Sequence, residues 1–453
     1  MTDLAQPTST RTTDALIDEV RTWLEENWDP DLTVAEWWER LGTSGWASPG
    51  LPENAYGKGL PRADAVAVQN EIASFGALGA PWGLGLLLAA PTIAAHGTPE
   101  QIERFVRPIV TGQQAWCQLF SEPGAGSDLA GLTARAIKDG EEWVVDGQKV
   151  WTSLGHRSDM GMLLARTDPE APKHQGISWF ACEMDQPGIE LRALKEMTGH
   201  AMFNEVFLDS ARVRDDAIIG GTNRGWAAAN TTLQNERAGL GAGGGSRGVM
   251  ITPGTIAGNL EKRVGDFVKP KSAKPKATES KETEPEAGKA EKDRKARSAA
   301  AMLIGYAQGN GTSTDPTIRQ DLARLHILGE LGRLNGARLK SVREAGGDIP
   351  GMANISKLAM SDIVRLQRDL GLRIAGPQGM LHAYDDEQRK ALDAATGNPF
   401  LTMITGSALW AQGPPIYGGT DQIQRNIIGE RVLGLPKEPG PDSSTPFNQL
   451  PRN

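Results

Sequence analysis

Residues 118–153 read QLFSEPGAGSDLAGLTARAIKDGEEWVVDGQKVWTS, and the organisation of the whole chain follows from them. The first third is rich in small residues. Gly124 and Gly126, with Ala125 and Ser127, let backbone N–H groups approach a bound group closely, as an anion or cofactor cradle requires. In the last third, Trp143 to Val145 and Gln148 to Thr152 flank Asp146-Gly147. That pattern predicts two strands across a tight turn, with Trp151 and Ser153 held on a rigid sheet beside the cradle.

On either side of this block the grain of the sequence is helical. From Thr13 to about Gly112, Leu16, Val20 and Leu24 are spaced four apart, and later apolar runs are punctuated by Gly and Pro. From Gln114 to Gly225, short β-branched and aromatic runs predict strands, with turns at Asp146-Gly147, Gln186-Pro-Gly and Asp209-Ser. From Gly225 onward long helical patterns return, notably Thr317 to Glu344 and Lys357 to Ile374. The expected division is a helical domain over 1–113, a β-barrel over 114–225, and a helical bundle over 226–435. The 453 residues suffice for two or three such domains. Residues 262–300 are charged and Pro-containing and should form a mobile loop within the bundle; residues 436–453, which include Pro436, Pro439, Pro441 and Pro446, should be a loose tail.

Composition narrows the functional classes. A formal charge of −8 argues against a nucleic-acid or anionic-membrane surface. Cys117 and Cys182 make no disulfide framework, which suits a cytoplasmic protein. The opening MTDLAQPTSTRTTDALIDEV lacks the basic start and apolar core of a signal peptide. The apolar run from Trp82 to Ala95 is broken by Pro91 and too short to span a bilayer. The six histidines are dispersed without metal-ligand spacing, so no metal and no zinc or nucleophilic hydrolase is expected.

Two further stretches carry chemistry. Residues 414–434 read PPIYGGTDQIQRNIIGERVLG, a Tyr417-Gly418-Gly419-Thr420 turn ahead of a helix. On the residues alone this is first a helix cap, and alternatively a seat for a diphosphate or cofactor edge. The other stretch is Leu233-Gln-Asn-Glu236-Arg237-Ala-Gly-Leu240. Ala229, Leu233, Glu236 and Leu240 share one apolar helix face, where a carboxylate is costly without a partner or a purpose. A buried ion pair and a catalytic base both answer that requirement.

Taken together, SEPGAGSD, WTS, the YGGTDQ turn and Glu236-Arg237 resemble the acyl-CoA dehydrogenase family over nearly the whole chain. The resemblance implies an α+β fold: an N-terminal helical domain, a middle β-barrel and a C-terminal four-helix bundle. It implies FAD, contacted by Gln118, Ser121, Gly126, Ser127, Trp151, Thr152 and Ser153, and by Gly376, Thr420 and Gln422. It places Ser127, Arg237 and Tyr417 against an acyl-CoA substrate. Many relatives carry their catalytic Glu where this chain has Gly418. A minority, including relatives of isovaleryl-CoA dehydrogenase, carry it where this chain has Glu236, so Glu236 is expected as the base and the Gly418 N–H as a donor to the thioester oxygen. The implied reaction is dehydrogenation to a trans-2-enoyl-CoA with hydride passing to flavin N5. An electron-transfer flavoprotein is the implied acceptor, and the implied assembly is a homo- or hetero-oligomer, dimer or tetramer. A base on the helix suggests a branched, cyclic or steroid-derived acyl group. Where many relatives have an Arg followed by Phe-Gly that reaches a neighbour's FAD, Arg263-Val-Gly-Asp-Phe267 is only a remnant. Two alternatives follow: a scaffold subunit of a heteromeric dehydrogenase, and a flavin-dependent monooxygenase or oxidase on the same fold.

Overall fold

The computed structural model of the chain describes residues 12–241, 248–268, 299–437, 439–440 and 443–451. They form two compact units, one from the described residues within Met1–Leu194, Met202–Lys274 and Gly440–Asn453, the other from those within Lys195–Ala201 and Pro275–Pro439.

The first unit begins with helices. Thr13–Asn27 buries Leu16, Val20 and Leu24, the residues spaced four apart in the sequence. Val34–Thr43 starts with a Thr33/Glu36 capping box and buries Trp37 and Trp38. Their indole N–H groups donate to the carbonyls of Leu78 (2.8 Å) and Gly79 (2.9 Å), so two large apolar rings are buried without leaving a polar atom unpaired. The apolar stretch near Trp82 becomes a π-helical turn, Gly85–Ala89, leading into the helix Ala90–His96.

The sheet follows, with β1 (Trp116–Leu119), β2 (Arg135–Asp139), β3 (Glu142–Ser153), β4 (Met160–Arg166), β5 (Ile177–Glu183), β6 (Ile189–Leu194), β7 (Phe203–Arg214) and β8 (Ile218–Ile219). The order is β6-β7-β3-β2-β4-β5-β8, with β1 parallel beside β4. All seven residues of β4 and six of the seven in β5 are buried, and both strands read as nearly continuous apolar runs.

The expected hairpin at Asp146-Gly147 is not there. β3 runs unbroken from Glu142 to Ser153, and its hairpin partner is β2, across a turn at Gly140. Asp146-Gly147 lies at a bulge in the β3–β7 ladder, facing the other expected turn, Asp209-Ser210, which also lies inside a strand. The Ser210 N–H donates to Asp146 Oδ1 (2.9 Å), closing the irregularity. Gly147 is needed for a second reason, since a Cβ there would lie 2.6 Å from that of Ala134.

Two segments expected to be loose are docked in the first unit. Residues 262–268 open the predicted charged loop, yet Val264 is fully buried among the N-terminal helices. The Lys262 carbonyl accepts from the Val34 N–H and the Val264 N–H donates to the Leu32 carbonyl, both at 2.9 Å. The rest of that loop, 269–298, falls outside the described residues. In the tail, the N–H groups of Phe447 and Asn448 donate to the carbonyls of Ala171 and Pro169 at 3.0 Å, and the Phe447 ring lies over the Arg166 guanidinium at 3.7 Å.

The helix Gly225–Gly241 also belongs to the first unit. Gly225 allows its start to lie against β5, where a Cβ would come within 2.4 Å of the Ser178 backbone. Two polar contacts fix it to Ala90–His96: Thr92 with Thr232 at 2.9 Å and His96 with Thr231 at 2.8 Å. The second unit is helical. Ala299–Gly309, Pro316–Glu344 and Met352–Ala375 meet around Leu303, Ala307, Ile318, Leu322, Leu325, Leu370 and Ile374, and Leu401–Trp410 and Asp421–Ile427 follow.

Candidate active site

In the first unit the cradle is held from beneath by a buried ion pair that the sequence reading did not single out. Lys149 is fully buried on β3 and its Nζ donates to Glu122 Oε1 (2.8 Å) and to the Phe120 carbonyl (3.1 Å). Glu122 also accepts from the N–H groups of Thr133 (2.7 Å) and Ala134 (2.9 Å) and from the Thr133 hydroxyl. Burial pushes the Glu122 carboxyl up, but Lys149 and these N–H groups outweigh it and hold its pKa below the ordinary value. The sequence carried only a weak signal, a lysine just ahead of Val150 and Trp151 and a glutamate inside the Gly-rich motif. A second clamp is Arg166 of β4, whose guanidinium donates to the carbonyls of Ala130 (2.6 Å) and Leu132 (3.3 Å).

Above these clamps the cradle is open. Ser127 and Gly126 are exposed, and a Cβ on Gly124 or Gly126 would meet nothing within 4 Å. Neither glycine is required by a left-handed backbone or by the protein's own packing, which leaves room for a bound group as the reason. Val150 donates its N–H to the Ser121 carbonyl (2.9 Å), tying the cradle to β3 where that strand bulges.

The WTS segment begins inside this bulge. Trp151 has φ 61° and Leu154 φ 54°, a left-handed backbone that is uncommon for bulky residues. Trp151 is 62% exposed, touching Phe203 edge-on at 5.9 Å. Thr152 is fully buried and its Oγ1 has no partner. A strained exposed indole beside an orphaned buried hydroxyl fits a flat, polar-edged ligand, and FAD meets that description. Ser153 lies one residue on, at the rim of a cavity lined also by Trp116 and Met250.

Glu236 is half-buried on the Gly225–Gly241 helix. Among the described residues it accepts one hydrogen bond, from Gln118 Nε2 at 3.4 Å. Burial pushes its pKa above 4.5, and Gln118 and the charge of Arg237 draw it back only partly. Thus Glu236, Gln118, Ser153 and the cradle all belong to the first unit. Arg237 sits beside Glu236 in sequence, half-buried. The side chain of Leu240, expected on the same face, falls outside the described residues.

The second unit carries the remaining expected residues. Thr420 caps the helix Asp421–Ile427 by accepting from the Ile423 N–H (3.2 Å), so the cap reading of this turn holds. Asp421 is buried, bonded to Ser361 (2.7 Å), Lys357 (3.0 Å) and Arg365 (2.6 Å). Burial raises it, yet those three bonds keep its pKa below the usual value. Gln424, another residue the sequence reading passed over, donates to the Gly418 carbonyl (2.9 Å) and fixes the turn. Among the described residues the Gly418 N–H meets no acceptor. Burial pushes the Tyr417 hydroxyl up to about 12. Gln422 is exposed. Gly376 ends the helix Met352–Ala375 with φ 59°, which accounts for the glycine by backbone alone. Among the described residues no group of His, Cys, Asp and Glu is placed to hold a metal ion, and no helix is long and apolar enough to cross a membrane.

Comparison with known proteins agrees with this geometry. The family models for the acyl-CoA dehydrogenase N-terminal, middle and C-terminal domains match residues 10–113, 117–211 and 294–433. The chain is 35% identical to the acyl-CoA dehydrogenase FadE34 of Mycobacterium tuberculosis over 88% of its own length, and it spans 46% of that longer protein. It is 33% identical to the acyl-CoA dehydrogenase IpdE1 of the same organism, over 89% of this chain and 88% of that one. A solved structure described as Tcur3481-Tcur3483 steroid ACAD shares the fold, with a TM-score of 0.64 at 24% identity over 96% of this chain and 100% of that one.

Proposed function

The chain belongs to the acyl-CoA dehydrogenase family, and on that footing we propose that it is an FAD-dependent acyl-CoA dehydrogenase with Glu236 as its base. The observation that carries the assignment is the state of Glu236, a half-buried carboxylate with a raised pKa whose hydrogen bond from Gln118 is long. The α-C–H of a thioester is weakly acidic, and a carboxylate pushed up by its surroundings is a stronger base than one in water. Glu236 takes the α-proton, and Gln118 steadies the carboxylate that receives it. The Gly418 N–H serves the thioester oxygen as negative charge develops there. FAD, when bound, supplies the acceptor for the hydride that leaves the β-carbon. The residues proposed to hold it are Gln118, Ser121, Gly126, Ser127, Trp151, Thr152 and Ser153, with Gly376, Thr420 and Gln422 from the second unit. Ser127, Arg237 and Tyr417 are proposed to contact the acyl-CoA, and the product is a trans-2-enoyl-CoA.

The proposed substrate is a branched or cyclic acyl-CoA, steroid-derived esters included, in keeping with the description of the solved relative as a steroid ACAD. An electron-transfer flavoprotein is the proposed acceptor and the cytoplasm the proposed compartment. Assembly with another chain is supported by Ile327, Leu331 and Leu334, each at least 50% exposed and spaced to share one face of the helix Pro316–Glu344. One observation favours the scaffold-subunit alternative. The Arg263–Phe267 remnant is engaged within its own chain, with Val264 buried and Arg263 paired to Asp31 at 2.7 Å. Anaerobic titration of the purified protein with straight, branched and cyclic acyl-CoAs, followed by flavin absorbance, tests the proposal. Reduction by at least one ester is expected. Bound flavin that no ester reduces would sink the dehydrogenase reading, and absence of flavin would favour the scaffold.

A further inference from the structure

Strand β1 alternates its side chains, so Trp116 and Gln118 share a face. Gln118 meets the proposed base on that face. Trp116, about 7 Å back along the strand, lines a cavity of about 320 Å³ that also reaches Ser153. The cavity is therefore bordered by the residue expected at the flavin's reactive edge, and its back wall lies one pleat from the carboxylate that takes the proton. Its volume falls at the small end for organic ligands, roughly 300–1,000 Å³.

Two features of the lining are unusual. Gln114 Oε1 and Trp116 Nε1 are buried and have no hydrogen-bond partner. Both are shielded from water, so solvent does not satisfy them, and such orphans in a cavity wall call for an explanation. Facing Trp116 is the π-helical turn Gly85–Ala89, a form that recurs at functional sites. A Cβ on Gly85 would come 3.3 Å from Trp116 Cδ1, so the missing side chain leaves the N–H edge of the indole thinly covered.

The other feature is the wall Met250–Pro253. It is fastened to the start of β1 through one residue. Asp159 Oδ2 accepts from the Ala115 N–H (2.7 Å), and Oδ1 accepts from the N–H and hydroxyl of Thr255. Gly254, at φ 91°, donates its N–H to the Gly112 carbonyl (2.9 Å), in a space where a Cβ would lie 2.7 Å from that of Ala115.

We infer that this cavity seats a compact acyl group bearing a hydroxyl, whose oxygen accepts from Trp116 Nε1–H and whose proton goes to Gln114 Oε1, while Met250–Pro253 limits its length. The inference rests on the dehydrogenase reading. Seating the oxygen takes a small outward shift of the Gly85 turn. The selectivity comes from pairing: an ester without the oxygen leaves both polar groups unsatisfied.

The probes are 3-(4-hydroxycyclohexyl)propanoyl-CoA, its deoxygenated counterpart and dodecanoyl-CoA, each measured by kcat/KM for flavin reduction and by calorimetric binding. Wild type should prefer the hydroxy ester over the deoxygenated ester at least tenfold, mainly through KM. Trp116→Phe should bring that ratio near one, and Gln114→Leu, which spares the aromatic packing, should lower it as well. Met250→Ala should raise dodecanoyl-CoA relative to the hydroxy ester about tenfold, and Asp159→Asn should have the same effect by loosening the wall. No preference for the hydroxy ester in wild-type binding, or a preference that survives both Trp116→Phe and Gln114→Leu, would overturn the inference. A binding preference without flavin reduction would keep it and instead sink the dehydrogenase reading.

Discussion

Glu122 and Glu236 are both carboxylates withdrawn from water in the first unit, and they have opposite characters. Glu122 is bonded to Lys149, Thr133 and Ala134, and its pKa is held low. Glu236 has one long bond from Gln118 and its pKa is raised. A buried carboxylate with a full set of partners fixes geometry, because moving it breaks several bonds at once. One left short of partners remains poised to bind a proton. The cradle and the proposed base therefore put the same side chain to opposite uses, and neighbours decide which.

The sharpest way to break this contrast is to remove the proposed base. Glu236→Gln should slow flavin reduction by a good acyl-CoA by about 10²–10⁴ while bound flavin stays near wild-type content; stopped-flow absorbance reads the rate, and an unchanged rate would reassign the base. Next comes the paired site. Lys149→Met leaves Glu122 buried without its cation and should cost about 3–5 kcal/mol in urea unfolding, with loss of flavin from the cradle.

Smaller effects should have opposite pH signs. The folded pKa of Glu236 is raised, so between 4.5 and that value the native state holds more protons than the unfolded chain, and its contribution to stability falls as pH rises. For Glu122 the folded pKa is lowered, so its contribution is present above 4.5 and fades as pH drops below it. At pH 7 Glu236→Gln should then melt above wild type and Glu122→Gln below it, and both differences should shrink toward acid. Melting curves from pH 4 to 7 decide this, and parallel shifts in the two variants would show that the glutamates are not distinct. The smallest effect is expected at the clamp on Arg166. Phe447→Ala should cost about 1 kcal/mol and speed flavin loss on gel filtration, whereas Phe447→Trp should restore retention.

How much was legible depended on the range of the interaction. The cradle, the WTS segment and the Glu236 helix were readable because each is set by residues within a few positions of one another. Asp146-Gly147 misled because a hairpin turn and a bulge both favour a flexible glycine, and only the partner strand β7 distinguishes them. Segments 262–268 and 446–450 were read as loose from average composition, yet each is held by backbone bonds and one apolar side chain, Val264 or Phe447. The Lys149–Glu122 pair spans the motif itself, but a lysine on a strand is normally solvated, and its burial depends on packing of the whole sheet. The partition of Glu236 from Gly418 into different units depends on tertiary structure that no local pattern records.

The Phe447 ring over Arg166 also imposes an order in time. Synthesis delivers the cradle and β4 early and the ring hundreds of residues later, while folding starts at the N-terminal side. Until the ring arrives, the guanidinium that braces Ala130 and Leu132 has no lid. We expect a chain stopped at residue 440 to form its sheet, as far-UV circular dichroism would show, but to release flavin faster than the longer chain. Cofactor retention would then report that translation has passed residue 447.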